Sequence, residues 1–409
     1  MVNRIYKKVI IAVLAISLSL SGIVSAGAAE KKEQFAVIPA QENVKLLVNN
    51  KKQYLTIKQA GDVARKNALL HNSNIRLYIK TTESSANVVF EKIRKRMIRE
   101  TSDSNSGDYM YWNFKSTSAK YYYNIVVNDG KKYYYYDFRL NIKYRITLKQ
   151  QNQVDKRVKS IIKKLKLKKK TSDYKKVKKV YDYICKSVTY AQNTSKGINY
   201  TAYAALFNKE AVCQGYALLA YKFFKELGLE TRLIPGYSSN QLHGWNIVKV
   251  GKYYYNIDST WDATYLQNNY KYHYFLKGDK FKNHKRFKQY KTDTFYGKYL
   301  MAANAYGSGK AKMCKKSQVC EYAMKQGKVL SFTDNTLKFE KLAKKSKYTV
   351  EYSVNKKFKS GQTVTTTGNT VQLNNLENDK VYYVRYRGTK KIKGKLRKTN
   401  WSDTFVIEN

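Results

Sequence analysis

The sequence predicts an α+β protein: a mixed helix-and-strand core in mid-chain, a small α+β domain ahead of it and a β-sandwich behind. Three observations lead there. From 215 to 224 every residue except Lys222 is apolar or small, the pattern of a helix buried on nearly all sides. Soon after, 243–249 and 253–260 flank a turn at Gly251-Lys252 and read as a hairpin. From about 328 onward short runs alternate, with Tyr348, Val350, Tyr352 and Val354 on one face and Tyr382, Val384 and Tyr386 on another.

The 409 residues include 79 Lys and Arg against 29 Asp and Glu, a formal net charge of +50. So large an excess cannot be paired internally, so most of it lies on solvated surface. It predicts attraction to polyanions: envelope phosphate polymers, anionic lipid head groups or nucleic acid. No nucleic-acid-binding motif is present, and the export signal below argues against nucleic acid as the primary role. Hydrophobic residues, 43% of the chain, suffice for packed cores in two or three domains. Tyrosine is abundant at 39 residues, often beside lysine, as over 131–136.

Residues 1–28 read as an export signal. Arg4, Lys7 and Lys8 form the charged start, 9–20 the apolar stretch and Ala26-Gly27-Ala28 the cleavage site. The rival reading is an uncleaved anchor over 9–29, since ~20 residues span a bilayer. With cleavage, the mature chain carries no transmembrane helix and is secreted or held at the cell envelope.

Residues 29–150 are expected to form the small α+β domain, with a recognition or packing role. Helical spacing runs over 58–70 and 86–99, and strand alternation over 76–80 and 121–127. Asn128-Asp129-Gly130 supplies a hairpin turn, after which strand character continues over 133–147. His71 reads as a surface or helix-end histidine.

Residues 151–310 are expected to form the mid-chain α+β domain, the one that holds the candidate chemistry set out next. An amphipathic basic helix over 154–167 has Val154, Val158, Ile161, Ile162 and Leu165 on one face; in isolation it would also suit a membrane surface. Thr171-Ser172-Asp173 starts a second helix with the stripe Tyr174, Val177, Tyr181, Ile184 and Val188. Cys185 shares that buried side as a packing residue. Thr201 can cap a short helix over 202–207 that leads into the next stretch.

Cysteine, histidine and aspartate then follow in order, in Val212-Cys213-Gln214-Gly215, Leu242-His243-Gly244-Trp245 and Ile257-Asp258-Ser259. Cys213 falls at the first turn of the buried helix, where unpaired N–H groups and the helix dipole favour an anion, here a thiolate. A turn of two or four residues puts His243 and Asp258 on one face as diagonal neighbours, ~7–8 Å apart. A three-residue turn sends them to opposite faces. Thiol, imidazole and carboxylate are what acyl transfer on an amide needs: a nucleophile, a proton shuttle and a group that fixes the shuttle's tautomer. The backbone N–H of Cys213 or Gln214 is the oxyanion candidate. Taken singly, each of the three also reads as a buried inert thiol or an ordinary hairpin residue.

Beyond Asp262, residues 272–276 read as a strand and 280–291 as a basic run; His273 and His284 read as part of a solvated basic face, with second-site ligands as the weaker alternative. Cys314 and Cys320 can close a small disulfide loop, but on a continuous helix they would stand ~9 Å apart, too far to bridge. The cysteines lack paired metal-ligand spacing and no calcium-loop pattern appears, so neither metal nor cofactor is expected. Within 328–409, Leu376 followed by Tyr382 resembles the turn-and-tyrosine arrangement of fibronectin type III domains, and Trp401-Ser402 before Phe405 and Ile407 fits their last strand.

Three phrases, "YKKVKKVYDYICKSVTY", "AVCQGYALLAYKFFKELGLETRLIPG" and "HGWNIVKVGKYYYNIDSTWDA", resemble the transglutaminase-like superfamily, whose core is related to papain-like cysteine proteases. The resemblance spans residues 172–262. It implies Cys213 as nucleophile, His243 as general base and Asp258 as orienting carboxylate. Many bacterial relatives have Asp after the tyrosine that matches Tyr190; here it is Ala191. The implied function is an exported cysteine-dependent acyl-transfer enzyme at the bacterial cell surface, acting on a protein or peptide amide. With water as acceptor it is a peptidase or amidase, and with a lysine amine a cross-linking transglutaminase. Anionic cell-wall polymers are the expected partners. The alternative is a catalytically inactive protein that keeps the fold and binds those polymers; loss of a triad member would mark it, and all three residues are present.

Overall fold

The structure, a computed structural model, describes residues 12–16, 35–38, 53–267 and 272–408. It is α+β and divides into two compact units, one of Met1–Gly251, Asn256–Leu276 and Lys282–Arg286, the other of Lys252–Tyr255, Lys277–Phe281 and Phe287–Asn409.

The first unit begins with β1 (Ala12–Ile16), β2 (Phe35–Ile38), α1 (Ile57–Leu69), β3 (Asn74–Thr81), α2 (Ala86–Met97), α3 (Asp108–Asn113), β4 (Phe114–Asn128) and β5 (Lys131–Tyr144). The strands form one sheet of order β2-β1-β4-β5-β3. Thr56 and Gln59 make a reciprocal capping box that starts α1. Ala60, Ala64 and Ala68 share one stripe of it and join Val89, Phe90 and Ile93 of α2 over Ile75, Leu77, Ile79 and Phe138 of the sheet. The β4–β5 hairpin turns at Asp129-Gly130, both at positive φ (48° and 70°), as a tight two-residue turn demands. Of the expected export segment, Ala12–Ile16 is a strand antiparallel to β2 and β4; its charged start and cleavage site lie outside the described residues. No described helix is long and apolar enough to cross a membrane.

The chain continues through α4 (Leu148–Lys164) and α5 (Asp173–Ser187). The first of these starts earlier than expected at 154, because Thr147 and Gln150 form a capping box ahead of a polar first turn that carries no hydrophobic signal. Ser172 caps α5, whose Val177, Tyr181, Ile184 and Cys185 are buried, while Tyr174 is exposed and leaves the expected stripe. A parallel pair, β6 (Thr189–Tyr190) and β7 (Glu210–Ala211), leads into α6 (Cys213–Glu226), buried along nearly its whole length. Then come β8 (Thr231–Ser238), β9 (Gln241–Val250), β10 (Tyr253–Ile257), α7 (Ser259–Gln267) and β11 (His284–Arg286), the strands in the order β10-β9-β8-β11.

Two polar clusters tie the amino-terminal part to this core. Asp108 at the start of α3 takes Arg232 Nε and Nη2 at 2.7 and 2.9 Å and the Leu233 N–H at 2.8 Å. Lys222, the lone charge within 215–224, is fully buried and lies 2.5 Å from Asp155 Oδ1.

The expected strand over 272–276 is absent. Its backbone is satisfied otherwise: the N–H groups of His273 and Tyr274 donate to Asp262 at 2.8 and 3.0 Å, and the Tyr274 carbonyl accepts from Asp258 N–H at 3.1 Å. A segment held by a carboxylate has no edge left for a ladder.

The second unit contains α8 (Asp293–Lys298) and α9 (Lys315–Ala323), then β12 (Val329–Thr333), β13 (Thr336–Phe339), β14 (Lys347–Ser353), β15 (Gln362–Thr366), β16 (Thr370–Gln372), β17 (Val381–Ile392), β18 (Lys395–Lys398) and β19 (Phe405–Glu408). One sheet runs β12-β13-β16 and the other β15-β14-β17-β18, with β19 also on β17. Leu337 and Phe339 of one sheet and Tyr348, Val350, Tyr382, Val384 and Tyr386 of the other form a single core. Val354, placed in that stripe by alternation, lies past the end of β14 and is exposed. The Tyr382 hydroxyl accepts the Glu377 N–H at 3.0 Å, pinning the loop ahead of its own strand. Cys314 caps α9 and Cys320 lies within it; both are free thiols, as a continuous helix requires.

Candidate active site

Helix α6 opens at Cys213, with Val212 in extended conformation as its cap residue. The Gly215 and Tyr216 N–H groups both donate to Val212 O, at 2.8 and 3.2 Å. Ahead of them, the N–H groups of Cys213 and Gln214 meet no acceptor among the described residues, as the first turn of a helix dictates. The Gln214 side chain is committed elsewhere: its amide nitrogen donates to the Trp112 and Tyr200 carbonyls, each at 3.0 Å. Any oxyanion contact from Gln214 is therefore a backbone one.

His243 stands on β9 opposite Gly236, and Asp258 follows β10 across a two-residue turn at Gly251-Lys252. The turn is thus one of the lengths that bring imidazole and carboxylate to the same side. His243 Nε2 lies 2.6 Å from Asp258 Oδ2, with the two side chains 7% and 1% exposed. That contact commits Nε2, and Cys213 lies close enough for its charge to act on the same imidazole. Burial works to lower the His243 pKa, but the charges of Asp258 and Cys213 outweigh it and push the value up to about 10. For Asp258, burial favours the neutral acid; the bonds from His243 and His284 override it and hold the carboxyl well below its usual range. The other oxygen, Oδ1, accepts the N–H groups of Thr260 and Trp261 at 2.9 and 3.4 Å, so Asp258 also caps α7.

His284 was expected on a solvated basic face; the structure corrects this. Its side chain is 1% exposed, with Nε2 2.9 Å from Asp258 Oδ2 and Nδ1 2.8 Å from the Lys282 carbonyl. It reaches the site because β11 pairs with β8, Arg286 against Gly236. A Cβ at Gly236 would strike the Lys285 carbonyl oxygen and the Trp245 ring, so glycine is what allows the two strands so close. Arg286 secures the strand by donating to Asn256 Oδ1 at 2.9 Å. The His273 N–H donates to Asp262 Oδ1 at 2.8 Å.

Asp262 is fully buried, and burial raises its pKa. It gathers the Tyr181 hydroxyl at 2.7 Å as well as the 273–274 backbone. Trp245 stacks near His243 with centroids 6.1 Å apart, and Trp261 closes another side at 6.1 Å. Aromatic walls of this kind exclude water and strengthen the charges between them. Tyr190 and Tyr200 complete the surroundings of the thiol: burial first, then charge at Cys213, pushes both hydroxyl pKa values up.

The ligand atoms of His243, Asp258 and His284 lie within 4.8 Å of one another, a spacing a divalent ion could bridge. The hydrogen bonds described above join the same atoms, so such an ion and this proton network exclude one another. His284 could have been suspected only from its residue type; nothing in the basic run around it signals burial.

A family model, the transglutaminase-like superfamily, matches residues 161–259. No curated protein matches the chain. Among solved structures, one described as a "TGase" is 20% identical, the likeness covering 34% of this chain and 43% of that one at a TM-score of 0.26. Another, a "Putative Cysteine Protease" from Cytophaga hutchinsonii, is 14% identical over 36% of this chain and 65% of its own, at a TM-score of 0.24. In both cases less than two thirds of the neighbour's own length is matched.

Proposed function

From the premise that residues 161–259 carry a transglutaminase-like core, we propose that this protein is a cysteine-dependent acyl-transfer enzyme acting on amides of proteins or peptides. The observation that supports it most is the His243–Asp258 pair, bonded at 2.6 Å, beside Cys213 at the start of α6. An imidazole protonated to about pH 10 is the partner a thiolate needs.

In this reading the Cys213 sulfur attacks the amide carbon and forms a C–S bond. The carbonyl oxygen takes the negative charge against the free Cys213 and Gln214 N–H groups. The C–N bond then breaks, and the His243 imidazolium gives its proton to the departing amine. His243, now neutral, takes a proton from the acceptor that attacks the thioester, and Cys213 leaves as thiolate. Water as acceptor gives hydrolysis; a lysine amine gives a cross-link. Asp258 keeps Nε2 protonated and the ring in register throughout.

Export rests on residues 1–28, and the +50 charge suits retention on anionic cell-surface polymers. A two-sheet module resembling fibronectin type III would then act as a spacer or attachment.

The test is mass spectrometry of the full chain and of Cys213→Ala with peptide mixtures, with and without an added primary amine. A product that forms only with Cys213 supports the reading, and its mass separates hydrolysis from transamidation. Turnover undiminished in Cys213→Ala would overturn it.

A further inference from the structure

We propose that Arg145 is an anion subsite of this centre, taking a substrate carboxylate next to the amide that Cys213 attacks. The inference rests on the acyl-transfer reading and adds a substrate class to it: acidic peptides.

Arg145 follows β5, and its guanidinium carbon stands 5.3 Å from the centroid of the Tyr200 ring. A Cβ on Gly197 would lie 3.9 Å from Arg145 Nη1, so the guanidinium runs along the 197–200 turn. That turn also touches the nucleophile's helix. The Asn199 and Thr201 carbonyls press on Gly215, where a Cβ would come within 2.8 and 3.0 Å of them. The Tyr200 carbonyl accepts the Gln214 amide at 3.0 Å, and the Tyr200 hydroxyl feels the charge of both Cys213 and Arg145. One short turn therefore has Arg145 on one side and Cys213 on the other.

Arg145 lacks the acid partner that many described arginines have, as does Arg387, whose guanidinium lies over the Trp401 ring. Arg76, Arg94, Arg96, Arg99, Arg139, Arg232 and Arg385 each pair with an Asp or Glu. Buried Arg65 is instead tied to two carbonyls and two hydroxyls. No described acid pairs with Arg145 and its side chain makes no hydrogen bond among the described residues; its Nε is sealed from solvent without a partner. The residue keeps partial exposure, and Nη1 and Nη2 are not among the sealed atoms. An excess of surface lysines explains unpaired cations in water, but not a guanidinium held partly desolvated at the expense of its own charge, which burial disfavours. The open edge of a guanidinium matches a carboxylate in plane and donor spacing.

The test uses two reagents of like size on the full chain, iodoacetate and iodoacetamide, with alkylation of Cys213 followed by peptide mass mapping. His243 favours the anionic reagent in every variant; Arg145 adds to that preference. In Arg145→Met the iodoacetate-to-iodoacetamide rate ratio is expected to fall about tenfold, the effect of losing one charge-assisted contact. An unaltered ratio overturns the subsite and leaves the Cys213 reading standing. Failure of both reagents to alkylate Cys213 overturns both. A measurement on the unmodified chain needs no variant to fold: N-acetyl-glutamate should protect Cys213 from iodoacetamide better than N-acetyl-glutamine, and equal protection overturns the subsite.

Discussion

His243 and His284 converge on one oxygen: their Nε2 atoms lie 2.6 and 2.9 Å from Oδ2 of Asp258, with ring centroids 5.4 Å apart. The carboxylate is therefore held from two sides, and its second oxygen by the α7 backbone. Any change at His284 reaches His243 through Asp258.

His284→Ala is expected to lower kcat about tenfold or more with little change in KM, since a hydrogen bond to a charged acceptor is worth ~1.5–3 kcal/mol. His284→Gln keeps an N–H near the same oxygen and should recover part of the rate. Steady-state kinetics with circular dichroism as the folding control decide it. Full activity in His284→Ala would make His284 a bystander.

On the acyl-transfer reading, the alkaline limb of kcat/KM should lie near pH 10, where His243 loses its proton. Burial opposes that high value and Asp258 is the strongest influence raising it, so Asp258→Asn should move the limb to lower pH as well as cut the rate. The pH–rate profiles of both proteins are the measurement. An unmoved limb in the variant would disconnect Asp258 from the His243 proton.

Cys213 and Cys185 are both buried, but beside different groups. Burial, then the charges of Asp262 and Asp258, push the Cys185 thiol far above its ordinary pKa, and its Sγ donates to the Ser259 carbonyl at 3.5 Å. Cys213 faces the His243 imidazole instead. Iodoacetamide at neutral pH should therefore modify Cys213 well before Cys185, read by peptide mapping. Equal rates at the two thiols would count against an activated Cys213.

Lys222 lies fully buried between Asp155, 2.5 Å away, the Asn105 amide oxygen and the face of Tyr109, whose centroid is 4.9 Å from Nζ. Lys222→Ala strands the Asp155 charge and opens a cavity, at a cost of about 3 kcal/mol, the low end of the ~3–5 typical of broken buried pairs. Asp155 is 23% exposed, which is why the low end applies. Urea unfolding of both single variants and the double variant measures the coupling. Strictly additive losses would show that the pair is not coupled.

The +50 charge makes its own prediction. Binding to a polyphosphate matrix should be strong at low salt and lost at moderate salt, as charges more than ~8 Å apart become screened. Retention that salt does not weaken would point to contacts other than electrostatic ones.

Local pattern alone determined a good part of this molecule. Helix α6 is legible because ten consecutive positions leave it no polar face, and its start is legible because Cys213 is where that run meets extended chain. The β4–β5 turn is written in Asp129-Gly130, and the strands of the second sheet in alternating tyrosine and valine. Such signals act over a few residues, through backbone sterics and the period of burial. The order of Cys213, His243 and Asp258 was readable too, but their meeting depended on a turn length that the sequence left open between even and odd. Tertiary structure alone decided what converges on them. His284 comes from a basic run whose every local cue is that of surface; only the pairing of β11 with β8, admitted by Gly236, turns it onto Asp258. Asp262 takes the backbone of 273–274 that alternation assigned to a strand, and Arg145 comes to Tyr200 from the far end of another sheet. Each is a contact between segments distant in sequence, and its energy lies in packing and desolvation that no short window of residues contains.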